Sequence, residues 1–238
     1  MTEPMFYCAT LPSTGGIARL HGDEARHAMA ARRLQVGDTL WLFDGRGNVA
    51  RARLQVRHER TQELELVVDQ HQRLPPPRPI VHLACALPKG DRAAVMLDMA
   101  TQLGIASFTP LLCERSVVKP GAGVLERLRR VCLEACKQSR RAWLPEIHPP
   151  ATMAELDTRG GAVWIAHPDG APVDQLMSQP QETLTILIGP EGGFTTEEVA
   201  QAIADGAIRV ALGSAILRVE TAAVAILGMA MLGVASPD

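Results

Sequence analysis

The sequence has few aromatic residues, little net charge and no long apolar run. Eight of its 238 residues are aromatic, three Trp, one Tyr and four Phe, too few for a surface that reads nucleic acid mainly by stacking bases on a row of rings. The longest apolar run, Ala222 to Ala235, is 14 residues, whereas a bilayer span needs about 20. A buried or interface helix is expected there, and no membrane partner. Met1 to Ser13 contains Glu3 and no basic stretch ahead of an apolar run, so no signal peptide is read there. The five cysteines are odd in number and form no CxxC pair, which points to a reducing cytoplasm instead of a disulfide framework. Cys132 and Cys136 stand i,i+4 and could share a metal, but a small apolar pair in the core is the simpler reading. The seven histidines have no ligand spacing, and no metal is expected.

What is present is enough apolar material, 47% of the chain, to bury a substantial core. The net charge of −2 hides an asymmetry: residues 1–74 balance at +1, 75–150 at +5 and 151–238 at −8. A polyanion, if one binds, is therefore expected on the first two thirds and not on the acidic last third. The proline run 74–79 cannot propagate a helix or donate to a central sheet. It divides the chain into a first domain, 1–73, a linker, 74–79, and a second domain, 80–238.

The first domain reads as β-rich. Thr39 to Phe43 and Asn48 to Val56 flank the turn composition Asp44-Gly45-Arg46-Gly47, and Glu63 to Asp69 alternates. One helix, Glu24 to Leu34, is expected with Asp23 as its cap. In the second domain, strands at 80–87, 107–113, 162–167, 183–188 and 208–212 alternate with helices at 91–103 (closed by Gly104), 124–139, 173–178, 196–205 and 220–235. Such alternation predicts a parallel sheet with its ligand at the carboxyl ends of the strands.

Two glycine corners lead from strands into helices. In Ile188-Gly189-Pro190-Glu191-Gly192-Gly193-Phe194-Thr195 the glycines let a ligand lie on backbone groups, and Thr195 with Glu198 has the capping-box spacing. No Lys-Ser/Thr follows Gly193 and the spacing is not GxGxxG, so a phosphate loop is a poor match and a tight turn remains open. The second corner, Leu212-Gly213-Ser214-Ala215-Ile216-Leu217-Arg218-Val219-Glu220-Thr221, carries only Arg218 and Glu220 as charges. Glu220 suits the positive end of the helix dipole, whereas Arg218 does not and is the better candidate for a substrate contact. A basic run, Arg127, Arg129, Arg130, Lys137, Arg140 and Arg141, lies on one predicted helix and its end.

GPEGGFTTEE followed by LGSAILRVETAA resembles the signature pair of the SPOUT methyltransferases, and within them the ribosomal RNA small subunit methyltransferase E family. LPKGDR (87–92), ATQLG (100–104), KQSRR (137–141), and His27, Arg33, Gly37-Asp38 and Phe43-Asp44-Gly45 in the first domain resemble the same family. Met99, Gln102, Lys137, Arg140, Ala215 and Arg32 depart from the residues common there. The resemblance implies an α/β fold, a SPOUT-type parallel sheet with a C-terminal trefoil knot, preceded by a small PUA-like RNA-binding β-barrel. A topology argument alone would have discarded a knot.

The implied activity is transfer of a methyl group from S-adenosylmethionine to N3 of a uridine in the 16S ribosomal RNA of the small subunit, by a cytoplasmic homodimer. The implied cofactor residues are Ile188, Gly189, Gly193, Leu212, Gly213, Ile216, Leu217 and Thr221. S-adenosylmethionine has no phosphate, so the missing lysine fits, and its sulfonium needs no metal. N3 carries an imide proton, so a base and a cation are both useful. Arg218 is the candidate to stabilise the uracil anion or hold a phosphate, and Glu191 and Glu220 are candidates to remove the proton or orient Arg218. With the resemblance in view, Arg129, Arg130, Arg140 and Arg141, with Gln138 and extended by Arg33, Lys89 and Arg92, are expected to contact RNA. The apolar helix at the C-terminal end is expected at the dimer interface. Two other readings stand at this point: the same fold acting on tRNA or a ribose hydroxyl, and an RNA-binding or assembly module without catalysis.

Overall fold

The structure, a computed structural model, describes residues 3–158, 160–176 and 181–232. Two compact units are present, one of residues 1–76 with 136–144, the other of 77–135 with 145–238. The inclusion of 136–144 in the first unit has no counterpart in a linear division at the prolines.

In the first unit, β1 (Met5–Tyr7), β2 (Ile17–Leu20), β3 (Thr39–Phe43), β4 (Asn48–His58) and β5 (Glu63–Arg73) form one sheet in the order β1-β3-β4-β5-β2. β1 and β3 are parallel, and the remaining pairs antiparallel. Alternation along the strands sends Leu40, Leu42, Ala50, Ala52, Leu54, Leu64, Leu66 and Val68 into a shared core. The β3–β4 turn closes on Asp44, whose carboxylate accepts the Arg46 and Asn48 N–H groups at 2.7 and 3.1 Å. At Gly47 a Cβ would stand 2.5 Å from the Trp143 ring, so only glycine fits.

The expected helix over 24–34 is shorter and different in kind. α1 (Gly22–Arg26) runs into a π turn, His27–Ala31, and Arg33 ends it in the left-handed region at φ 52°. Asp23 does not cap it. It pairs with Arg26 instead, and the N-cap position is His21, which gives no side-chain bond.

The second unit holds β6 (Ile80–Cys85), α2 (Arg92–Leu103), β7 (Ser107–Pro110), α3 (Ala122–Ser139), β8 (Glu146–Ile147), β9 (Ala162–Pro172), α4 (Val173–Leu176), β10 (Thr183–Ile188), α5 (Thr196–Ala204), β11 (Ile208–Ala211) and α6 (Val219–Leu232). Of α3, residues 136–139 group with the first unit. The six strands form a parallel sheet in the order β11-β9-β10-β6-β7-β8. β10 is central and buried along nearly its whole length, as a strand covered on both faces requires. α2 ends where Gly104, at φ 101°, donates to the Ala100 and Thr101 carbonyls. β8 was not expected from the sequence, and β9 runs past the expected end at His167. Residues 177–178 of the expected helix 173–178, and 233–235 of the expected helix 220–235, lie outside the described residues.

Candidate functional site

The parallel sheet places the two glycine corners at the carboxyl ends of β10 and β11, on either side of β9. Between them lies a cleft of about 560 Å³, lined by Ile188 to Phe194 from the first corner, and by Leu212, Gly213 and Ala215 to Val219 from the second. This volume suits a nucleoside-sized ligand.

The corner after β10 is held from several sides. Gly193 donates to the Pro190 carbonyl at 2.8 Å and takes φ 70°, which favours glycine. Gly189 is glycine for another reason: a Cβ there would meet the Phe194 ring at 3.0 Å. At Gly193 and Gly213 a Cβ would meet no protein atom within 4 Å, and the left-handed backbone, φ 110° at Gly213, is the constraint. Thr195 caps α5 reciprocally with Glu198: the Glu198 N–H donates to Thr195 Oγ1 at 3.2 Å and the Thr195 N–H to Glu198 Oε2 at 2.8 Å. Arg115, from the loop after β7, donates to the Gly192 and Phe194 carbonyls at 2.9 and 3.4 Å. The same loop's Glu114 N–H donates to Glu198 Oε1 at 2.9 Å.

The corner after β11 is barer. It contains bends but no hydrogen-bonded turn, and Ile216 is 94% exposed. Arg218 lines the cleft.

A third wall comes from β9. Its pairing with β11 jumps from Ile165 opposite Arg209 to Ala171 opposite Val210, so residues 166–170 bulge out, and Ala166, His167 and Pro168 line the cleft. Gly170 permits this, because a Cβ would stand 2.5 Å from the Val210 backbone. His167 Nδ1 accepts the Asp169 N–H at 3.2 Å, which leaves its proton on Nε2 when the ring is neutral. Pro168-Asp169-Gly170, a turn composition inside an apolar run, was the available signal for this wall.

Near the mouth, Arg92 at the start of α2 bonds Glu191 Oε1 at 3.1 Å, stands 3.7 Å from Glu220 Oε2, and donates from Nε to the Lys89 carbonyl at 3.1 Å. The three candidates for acid–base and charge work are thus divided: Glu191 and Arg218 line the cleft, and Glu220, 13% exposed, is reached through Arg92. Thr221 is exposed and is not among the lining residues. The nearby thiols are not nucleophiles: burial, then the charges of Cys113, Glu191 and Glu220, raises Cys85 well above the ordinary range, and burial with Glu198 raises Cys113 to about 12. Among the described residues, no three of His, Cys, Asp and Glu are grouped as a metal site.

The basic residues are dispersed. Arg129 donates to the Ile147 carbonyl and faces Glu126, as does Arg130. Lys137 is buried against Glu24 at 2.8 Å, and Arg140 donates to the Glu3 carbonyl at 2.7 Å. Arg141 is half-buried, and desolvation pulls its guanidinium below the usual range. Arg33, Lys89 and Gln138 are exposed.

Comparison with known proteins places this site in a family. A family model for an RNA methyltransferase domain matches residues 75–231, and one for an RNA methyltransferase PUA domain matches 20–65. The ribosomal RNA small subunit methyltransferase E of Mycobacterium bovis is 35% identical over 240 residues, covering 96% of this chain and 91% of that protein. The chain belongs to the ribosomal RNA small subunit methyltransferase E family. Its Synechocystis member is 38% identical over 206 residues, 80% of this chain and 64% of that one. The fold agrees as well. The crystal structure of the family member from Neisseria gonorrhoeae bound to S-adenosyl methionine superposes with a TM-score of 0.87 at 27% identity, covering 97% of this chain and 98% of that one.

The cleft fits the same cofactor. Its walls are apolar side chains and glycine backbone, with Glu191, His167 and Arg218 as the ionisable lining groups, which suits an adenosine and a sulfonium better than a phosphate chain.

Proposed function

We propose that this chain transfers a methyl group from S-adenosylmethionine to N3 of a uridine in 16S ribosomal RNA of the small subunit. The observation that carries the reading is the backbone-lined cleft between the corners after β10 and β11, with Arg218 in its wall, in a chain of this family. Ile188, Gly189, Gly193, Leu212, Gly213, Ile216 and Leu217 hold the cofactor, with Thr221 beside them at the start of α6. Arg218 stabilises the charge that spreads over the uracil oxygens when the imide proton leaves, and a carboxylate, Glu191 or Glu220, takes that proton. Arg33, Lys89, Arg129, Arg130, Gln138, Arg140 and Arg141 bring the RNA to the site through its phosphates.

The finer architecture belongs to the same proposal. The first unit acts as a PUA-like barrel, the corners after β10 and β11 are threaded as a trefoil knot, and α6 pairs with a second copy of the chain. Val224, Ala225, Gly228, Met229 and Met231 on α6 are only partly buried, which supports a dimer face. No described helix is long and apolar enough to cross a membrane, and the proposed ribosomal RNA substrate supports a cytoplasmic location.

Mass spectrometry of 16S ribosomal RNA from a strain lacking the gene tests the activity. Loss of one 3-methyluridine, restored by the wild-type chain and not by Arg218→Ala, is expected. An unchanged modification pattern overturns the reading. Light scattering at micromolar concentration is expected to give a dimer.

A further inference from the structure

Arg92 joins three loop ends at the carboxyl side of the sheet. It begins α2, directly after the loop that leaves β6, and its guanidinium meets Glu191 from the corner after β10 and Glu220 from the start of α6. Its Nε is taken by the Lys89 carbonyl of its own loop. A residue expected to reach out to RNA phosphate is thus turned inward.

The two carboxylates it meets are not equivalent. Glu191 accepts a hydrogen bond from Arg92 at 3.1 Å, and its side chain is 36% exposed. Glu220 is 13% exposed, and its Oε2 is buried without any hydrogen bond, because the Arg92 nitrogen 3.7 Å away is too distant to donate one. A buried carboxylate oxygen in that state is costly unless a donor arrives. Arg218 and Val219, which immediately precede Glu220, and Ala222, two beyond it, line the cleft, so Glu220 stands beside it.

We infer that Glu220 is the group that accepts the uracil N3 proton and that Arg92 is the positioning residue holding it, an inference that rests on the methyl-transfer reading above. Glu220 takes the proton as the N3–H bond breaks. The electron pair left on nitrogen forms the new bond to the methyl carbon, and the carbon–sulfur pair returns to sulfur, which passes from sulfonium to thioether. Arg92 does not touch the substrate. It fixes Glu220 beside the cleft, and it occupies the more accessible Glu191.

The charges around Glu220 agree with this division. Arg92 comes from α2 and Glu191 from the corner after β10, while β6 contributes the neutral buried thiol of Cys85. Arg218 precedes it on its own element, β10 carries no ionisable side chain, and Asp174 of α4 is exposed, with its carboxylate on the Gln175 N–H. Arg92 and Arg218 together balance the two carboxylates, and it is Arg92 that meets both of them.

The test measures methyl transfer to small ribosomal subunits that lack the modification, using the full chain, with cofactor affinity followed by calorimetry. Arg92→Ala is expected to lower kcat about tenfold or more and to leave S-adenosylmethionine affinity within about twofold. Arg92→Lys restores much of kcat, since a point charge suffices. Glu220→Gln is expected to lose about 100-fold, and Glu191→Gln far less. If Arg92→Ala fails to fold, as judged by circular dichroism, Arg92→Gln replaces it with the same expected outcome. A normal kcat with a salt-dependent rise in RNA KM would make Arg92 a phosphate contact and overturn the inference. So would loss of cofactor binding in both Arg92→Ala and Arg92→Lys, or a larger loss in Glu191→Gln than in Glu220→Gln. If the wild-type chain transfers no methyl group, the function reading falls and this inference with it, an outcome distinct from an active wild type with unaffected variants.

Discussion

The two glycine corners share a task and differ in how they are held. The corner after β10 is fixed by a turn bond from Gly193, a reciprocal cap between Thr195 and Glu198, the buried Phe194 ring under Gly189, and Arg115 on two of its carbonyls. The corner after β11 lacks a hydrogen-bonded turn and projects Ile216 into solvent. One wall is therefore organised before any ligand arrives, and the other leaves backbone groups and an exposed apolar side chain available to it. Preorganisation lowers the ordering cost of binding. The β10 corner should therefore contribute cofactor affinity, while the looser β11 corner carries Arg218, whose proposed work is on the acceptor.

Substitutions that separate binding from turnover sharpen this contrast. The largest effect is expected at Arg218. Arg218→Ala should cost about 3 to 4 kcal/mol of transition-state stabilisation, roughly a 10²- to 10³-fold fall in kcat, with S-adenosylmethionine affinity nearly unchanged by calorimetry. A variant that regains normal kcat at high RNA concentration would make Arg218 a phosphate contact and break the division of labour. Gly193→Val comes next. A β-branched side chain at φ 70° costs at least about 1 to 2 kcal/mol of backbone strain, and relief of that strain would distort the preformed wall. Cofactor affinity should fall about tenfold. Undiminished affinity in a folded variant would show that the pocket has been misplaced.

Local features of both corners were legible in the sequence, and the long-range ones were not. The strand Thr183–Ile188, the cap of α5 by Thr195 and Glu198, and the closure of α2 by Gly104 each depend on residues within a few positions of one another. β1 and β2, of three and four residues, are too short to show a period. The excursion of β9 is decided by its partner β11, where the register jumps between Arg209 and Val210, and no pattern within 162–172 reveals where the partner will be. Arg92 and Glu191 are 99 positions apart, and their pairing is a product of strand order. Basic residues read as one face, Lys137 and Arg140 among them, are drawn into contacts with Glu24 and Glu3, because the end of α3 belongs with the first unit. Family resemblance supplied what periodicity could not, namely the cofactor and the acceptor.

Smaller perturbations ask which bonds make the β10 corner the firmer one. Arg115→Ala removes the donor shared by the Gly192 and Phe194 carbonyls. A solvent-accessible hydrogen bond contributes about 1 kcal/mol, and these carbonyls can turn to water. A rise of about three- to fivefold in the dissociation constant for S-adenosylmethionine is expected, with kcat at saturation unchanged. If affinity does not move, the turn and the cap hold this wall without Arg115.

Thr195→Ala should have the smallest effect on the site, because it removes only one of the cap's two bonds. Thr195 is 4% exposed, and its hydroxyl accepts the Glu198 N–H. The Glu198 carboxylate still accepts the N–H groups of residue 195 and Glu114, so it stays tied to the corner and to the loop after β7. Loss of an N-cap hydroxyl costs about 1 kcal/mol, which for a chain of this length lowers Tm by about 2 to 4 °C. The glycine turn, the Phe194 ring and Arg115 all remain, so cofactor affinity should change less than about twofold. Thermal unfolding with and without S-adenosylmethionine checks both parts, since the cofactor-induced rise in Tm should match that of the unmodified chain. A loss of that rise would make the helix cap, and not the glycine turn, the element that shapes the cofactor wall.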